Sequence, residues 1–100
     1  MIIIGELING TRKAVAAAIA GHDAEYIAKL ARDQEAAGAC YIDCNAGTSG
    51  DKEIEDLVWL VQVVQQEVSV PLSLDSPNPA ALERALEIYT GPAPLINSIT

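Results

Sequence analysis

The sequence predicts an α/β fold in which strands and helices follow one another in β-α-β-α-β-α-β order. Half of the 100 residues are apolar, and Phe is absent. Short apolar runs of strand length alternate with longer stretches in which apolar residues recur every three or four positions. Such an alternation is typical of parallel strands that are joined by right-handed helical crossovers.

The first part of the chain predicts one strand and one long helix. Residues 1–6 begin with a continuous apolar run, which predicts a strand buried on both faces. Residues 11–20 form a short, Ala-rich segment. Asp23 is placed to cap a helix over about residues 24–37, and Gly38 follows where a helix commonly ends in a left-handed residue.

The later elements repeat the same unit. Apolar positions recur without Gly or Pro over residues 54–68, which predicts a helix, and Asn78-Pro79 has the form of a capped helix start. The remaining strands are predicted at residues 39–43, 71–75 and 95–98. Four such units are the N-terminal half of a (β/α)8 TIM barrel, here spanning residues 1–100. A doubly wound sheet is disfavoured because no G-x-G-x-x-G turn follows the first strand.

Charge and composition exclude several classes of function. The net charge of −8 with only six Lys and Arg residues disfavours nucleic acid as a partner. No apolar run reaches the roughly 18 residues of a membrane span, and no leader pattern is present, so we expect a cytoplasmic protein. Cys40 and Cys44 would lie roughly 13 Å apart along one strand, which predicts reduced thiols; no metal site is expected.

Polar residues follow every predicted strand, and they are the most informative feature of the sequence. In a parallel barrel the carboxyl ends of the strands meet at one rim, where ligands bind. Residue alternation allows these side chains to point inward together. The predicted site residues are Glu6, Asn9, Asp43, Asn45, Asp75, Asn97 and Ser98.

The chemistry of this rim favours a flat heterocycle. Carboxylates accept hydrogen bonds, whereas the Asn amides both donate and accept them. A 2-amino-4-oxo-pyrimidine, as in pterins and guanine, offers an N–H and an exocyclic amine side by side, which one carboxylate can bind with two hydrogen bonds. The negative net charge argues against a polyphosphate as the main ligand.

Several segments together resemble one family. Residues 3–10, Ile-Ile-Gly-Glu-Leu-Ile-Asn-Gly, resemble the I-G-E-x-x-N opening of the methyltetrahydrofolate:corrinoid methyltransferases and of the folate module of cobalamin-dependent methionine synthase. Residues 38–47 are similar to the second-strand motif of that family. Residues 71–76 and 95–98 are similar to its third and fourth strands.

The resemblance implies a pterin-binding barrel and a role for each rim residue. Asp75 and Asn97 match positions that hydrogen-bond the pterin ring, and Asp43 and Asn45 match positions close to it. The other matches are Glu6 and Asn9 in the first-strand motif and Ser98 beside Asn97. The group nearest the pterin N5 is expected on a later strand, outside this chain.

The resemblance also implies the reaction and its partners. Cob(I)amide would attack the N5-methyl group of methyltetrahydrofolate, giving tetrahydrofolate and methyl-cobalt(III). The corrinoid (cobalamin) is the methyl acceptor, carried by a partner protein, and the full-length protein is expected to be a homodimer. N5 is a poor leaving group unless a proton or strong hydrogen bond builds there in the transition state.

Two alternatives stay open at this point. The first is a transferase like dihydropteroate synthase on the same barrel, although the N-V-T-P-D-S-F continuation of its first strand is absent after Asn9. The second is a non-catalytic half barrel that serves binding or assembly, since a complete barrel takes about 250 residues.

Overall fold

The computed structural model describes residues 1–97 as one parallel four-stranded sheet with four helices. The strand order is β1-β2-β3-β4, and every pair is parallel. The predicted α/β class and the partial TIM barrel are therefore confirmed. No helix within residues 1–97 is long and apolar enough to cross a membrane. The elements are β1 (Ile4–Gly5), α1 (Lys13–Ala20), α2 (Ala24–Ala36), β2 (Tyr41–Cys44), α3 (Gly50–Gln65), β3 (Leu72–Asp75), α4 (Pro79–Ile88) and β4 (Leu95–Asn97).

The sheet register separates an apolar face from a polar one. Ile42 of β2 pairs with Leu72 of β3, and both are fully buried. The next pair along the two strands is Asp43 and Ser73. Because side chains alternate between the faces of a strand, Asp43 and Ser73 lie on the face opposite to Ile42.

Helices α2, α3 and α4 cover the apolar face of the sheet. The inward stripe of α3 continues over two turns, and its apolar members have no exposed surface. The apolar core combines this stripe with residues of the strands and of the neighbouring helices. Its largest fully buried members are Ile8, Ile27, Ile42, Leu57, Leu60, Leu72, Leu74, Val15, Val61 and Val64.

Helix ends follow the capping signals of the sequence. The Asp23 carboxylate accepts a hydrogen bond from the Tyr26 backbone N–H at 3.2 Å and begins α2. The Asn78 side-chain oxygen accepts one from the Ala80 N–H at 3.0 Å, and Pro79 occupies the first turn of α4. Gly38 follows α2 with a φ of +100°, a conformation that glycine adopts without steric cost. These three predictions are confirmed.

The prediction for the first strand is wrong in extent and in burial. Only Ile4 and Gly5 pair with a neighbour, and Met1, Ile2 and Ile3 are exposed. The physical reason is position in the sheet: among the described residues, β1 pairs with β2 alone. An apolar run at an edge has no second strand beside it to cover its side chains.

Further boundaries differ from the sequence-based expectation or reach the end of the described residues. The Ala-rich segment forms a separate helix, α1, so two helices lie between β1 and β2. The second strand begins at Tyr41, because the Ala39 N–H still closes the end of α2 by bonding the Gln34 carbonyl at 3.0 Å. The fourth strand is described to Asn97, so the predicted Ser98 lies outside the described residues.

Candidate functional site

Three carboxylates meet where β1, β2 and β3 end. Asp43 on β2 is 4% exposed, Ser73 is its register partner on β3, and both Ser73 and Asp75 at the end of β3 lie close enough to influence its pKa. Gly5 pairs with Ile42, so the next residues along the two strands, Glu6 and Asp43, lie at the same level of the sheet. The negative charge of Glu6 raises the pKa of Asp43. The structure therefore brings these predicted residues together.

The Asp43 carboxyl holds its proton unusually strongly. Burial raises the pKa of Asp43 from its ordinary value near 3.8 to about 7. The Ser73 hydrogen bond opposes this rise, while the hydrogen bond and charge of Asp75 and the charge of Glu6 add to it. The pKa rises because like charges close together make it costly for a neighbouring carboxyl to ionise. The rim thus has a carboxyl that can donate a hydrogen bond near neutral pH.

Asn97 joins this group through the β3–β4 pairing. Asp75 and Asn97 are register partners, and the Asn97 Nδ2 lies 3.5 Å from Asp75 Oδ2. Asp75 is half-buried and Asn97 is exposed. An amide donor and a carboxylate acceptor therefore stand side by side at the open rim.

Asn9 and Asn45 shape the loops beside the carboxylates. The two residues form an isolated parallel bridge, in which the Gly10 N–H bonds the Asn45 carbonyl at 2.8 Å. Asn9 Oδ1 accepts from the Thr11 N–H at 2.9 Å, and Asn45 Oδ1 accepts from the Gly47 N–H at 2.9 Å. The side-chain oxygens are therefore used by their own turns, which is a structural role.

Two glycines allow these loops to touch. Gly47 has a φ of +71°, and a Cβ placed on it would lie 2.5 Å from the Gly10 carbonyl carbon. A Cβ on Gly10 would lie 1.7 Å from the Ala46 carbonyl oxygen. The backbones of the two loops consequently pack directly against each other, and this contact holds the first two strand ends together.

Two buried acids near the start of α3 were missed by the sequence analysis. Glu53 is 3% exposed and accepts a hydrogen bond from the Ser76 hydroxyl; Asp56 is 1% exposed and accepts one from Thr48 Oγ1 at 3.0 Å. Lys52 Nζ lies 3.2 Å from Asp56 Oδ1, an ion pair without hydrogen-bond geometry. Their spacing places both acids on the inward stripe of α3 with Leu57. This spacing is visible in the sequence, so their burial could have been predicted.

The remaining polar candidates lie away from the carboxylate group or lack reactive features. His22 is exposed, and its ring stacks on Trp59 with centroids 4.7 Å apart. Cys40 and Cys44 are both free, and burial raises the pKa of the Cys44 thiol. Within residues 1–97 no group of three or more His, Cys, Asp or Glu side chains is arranged to hold a metal ion.

Comparison with known proteins identifies a family for this chain. The model of the family described as pterin binding enzyme matches residues 5–100. The chain belongs to this pterin-binding enzyme family. It is also 42% identical, over all of its 100 residues, to a protein of Eubacterium limosum named methylcorrinoid:tetrahydrofolate methyltransferase. This pterin-binding chain spans 36% of the length of that relative.

Proposed function

We propose that the protein is a methyltransferase that moves a methyl group between the N5 of tetrahydrofolate and the cobalt of a corrinoid. The residues described above would supply much of its pterin site. The observation that carries the proposal is the group of Asp43, Asp75 and Asn97 at one rim of a parallel sheet. The similarity over the whole chain to a relative named for this chemistry supports it and favours it over a dihydropteroate synthase-like activity.

Each rim residue has a chemical task in this proposal. The Asp75 carboxylate accepts from the ring N–H and exocyclic amine of the pterin, and the Asn97 amide donates to a ring acceptor. Asp43, whose pKa is raised to about 7, is partly protonated near neutral pH and would then donate to Asp75 and keep that carboxylate in place. Glu6, Asn9 and Asn45 would border the ring, and Ser98 is assigned beside it on the family resemblance alone.

The chemistry requires more than ring binding, because N5 must be polarised when the methyl group leaves or arrives. We assign the residues of this chain to pterin binding, not to proton delivery at N5. The relative's name gives methylcorrinoid as donor and tetrahydrofolate as acceptor, the reverse of the direction that the sequence analysis stated. Both directions pass through one transition state, so the same pterin contacts serve either.

The partners follow from the same proposal. The corrinoid is a substrate that a separate protein would carry to the open rim, where the folate is held. We further propose that the full-length enzyme is a cytoplasmic homodimer. Neither nucleic acid nor a membrane is part of the proposed reaction.

A two-stage experiment tests this function on the protein expressed from its complete gene. Calorimetric titration with methyltetrahydrofolate, without cobalamin, should show saturable binding. Addition of cob(I)alamin should then give the spectrum of methylcobalamin. Tight binding of free cobalamin with no binding of folate would contradict the assignment. In a separate assay with a dihydropterin pyrophosphate and p-aminobenzoate, formation of dihydropteroate and pyrophosphate would favour the synthase instead.

A further inference from the structure

The buried acid Glu53 has no role in the pterin contacts, yet it lies next to them. Carboxylates are almost never fully buried unless they are paired, because their desolvation is costly. Glu53 is 3% exposed in the first turn of α3, where the helix dipole favours a negative charge. An apolar residue would fill this position of the inward stripe at lower cost, so the retained carboxylate calls for a specific partner.

That partner is the residue that follows Asp75 in the chain. The Ser76 hydroxyl donates to a Glu53 carboxylate oxygen and at the same time accepts from the Asn78 N–H at 3.0 Å. Ser76 has no exposed surface. A second contact joins the same two elements, since Asn78 Nδ2 donates to the Gly50 carbonyl at 3.3 Å. These two hydrogen bonds tie the β3–α4 loop to the start of α3.

We propose that Glu53 is a positioning residue for the pterin site and that it acts through Ser76 on Asp75. The pairing with Asn97 orients Asp75 from the side of β4. The hydrogen bond from Ser76 to Glu53 fixes the backbone of the residue that follows Asp75. A hydrogen bond to an ionised carboxylate is shorter and stronger than one between neutral groups. It therefore suits a contact that has to hold a ligand-binding carboxylate in one geometry.

The inference rests on the proposed function, and a mutant cycle on the protein from its complete gene tests it. The variants are Glu53→Gln, Ser76→Ala and the double variant, with Kd for methyltetrahydrofolate measured by calorimetry and folding by thermal melting. Each single variant should raise Kd by about three- to ten-fold. Because the two residues act in one chain of contacts, the Kd of the double variant should be no higher than that of the single variant that binds more weakly.

The matched control is Glu55→Gln, the same substitution at an exposed residue of the same helix; its Kd should stay within about two-fold of the unmodified protein. Variants that melt at lower temperature but bind with unchanged Kd would show a merely structural role and overturn the inference. Additive losses would overturn the path through Ser76. Ser76→Ala decides the question by itself if Glu53→Gln does not fold. Absence of folate binding in the unmodified protein would overturn the proposed function and this inference with it.

Discussion

At the scale of single residues, Asp43 determines how the rim is protonated. Its folded-state pKa of about 7 exceeds the ordinary value near 3.8, mainly because the carboxyl is buried. Between these values the folded protein retains a proton that the unfolded chain has released. The contribution of this carboxyl to stability is therefore fully present below about pH 4 and is lost as the pH rises to about 7.

The first prediction follows from this loss of stability with rising pH. Asp43→Asn cannot lose a proton, so the free energy of unfolding should fall less steeply between pH 4 and 7 than in the unmodified protein. At pH 8 the variant should be more stable by about 1–3 kcal/mol. Urea unfolding at several pH values measures this, and the exposed Asp51→Asn should keep the original pH slope. Parallel curves for Asp43→Asn and the unmodified protein would contradict the raised pKa.

The second prediction separates the two aspartates by their part in ligand binding. Asp75→Ala should weaken methyltetrahydrofolate binding by about ten- to hundred-fold, because buried ring donors lose their acceptor at a cost of about 1–3 kcal/mol. Asp43→Ala should cost less, since Asp43 acts on Asp75 and not on the ring. Calorimetry on both variants provides the comparison. Unchanged affinity in both would remove the rim from the pterin site.

At the scale of elements, the contact between the first two loops holds the strand ends in place, and it depends on glycine. Gly47 and Gly50 both have positive φ values, +71° and +61°. Only Gly47 is crowded, because a Cβ on Gly50 would meet no atom within 4 Å. The two positions therefore separate the cost of the backbone conformation from the cost of the close approach.

The third prediction uses this pair of glycines. Gly50→Ala should lower the free energy of unfolding by about 1–2 kcal/mol, the cost of a left-handed residue with a Cβ. Gly47→Ala should cost more, since it also pushes the two loops apart, and it should weaken folate binding as Asn9 and Asn45 move. Denaturant unfolding and calorimetry measure the two effects. Equal stability losses in both variants would show that the loops separate without cost.

At the scale of the whole molecule, the described residues leave apolar surface uncovered. Met1, Ile2, Ile3, Leu7 and Leu95 are exposed. Among the described residues, β1 and β4 each have one paired neighbour. Unpaired strand edges with apolar side chains attract other chains, because both backbone hydrogen bonds and apolar burial are available there.

The fourth prediction concerns residues 1–100 expressed alone. We expect a self-associated, poorly soluble or molten product without methyl-transfer activity, since closure of a barrel requires further strands. Size-exclusion chromatography with light scattering, followed by the transfer assay, tests both parts. A monodisperse monomer that melts cooperatively and transfers methyl groups would contradict the half-barrel hypothesis.

Much of the fold could be predicted because its signals are local. The cap at Asp23, the Asn78-Pro79 helix start and the left-handed Gly38 each depend on a few neighbouring residues. The exposed first strand could not be predicted from its apolar run, because edge or centre is a property of the sheet order. The stacking of His22 on Trp59 could not be predicted either, because no sequence pattern links these two residues.

By itself the sequence determined the parallel α/β order, the strand-end polar residues and the resemblance to a pterin-binding family, since all three lie in periodicity and short motifs. Only the tertiary structure decided which polar groups interact. Burial and neighbouring carboxylates raise the pKa of Asp43, Gly10 meets Gly47, and Glu53 reaches Ser76 across two elements. Desolvation and contact depend on distances in space between residues far apart in the chain, and no local pattern encodes those distances.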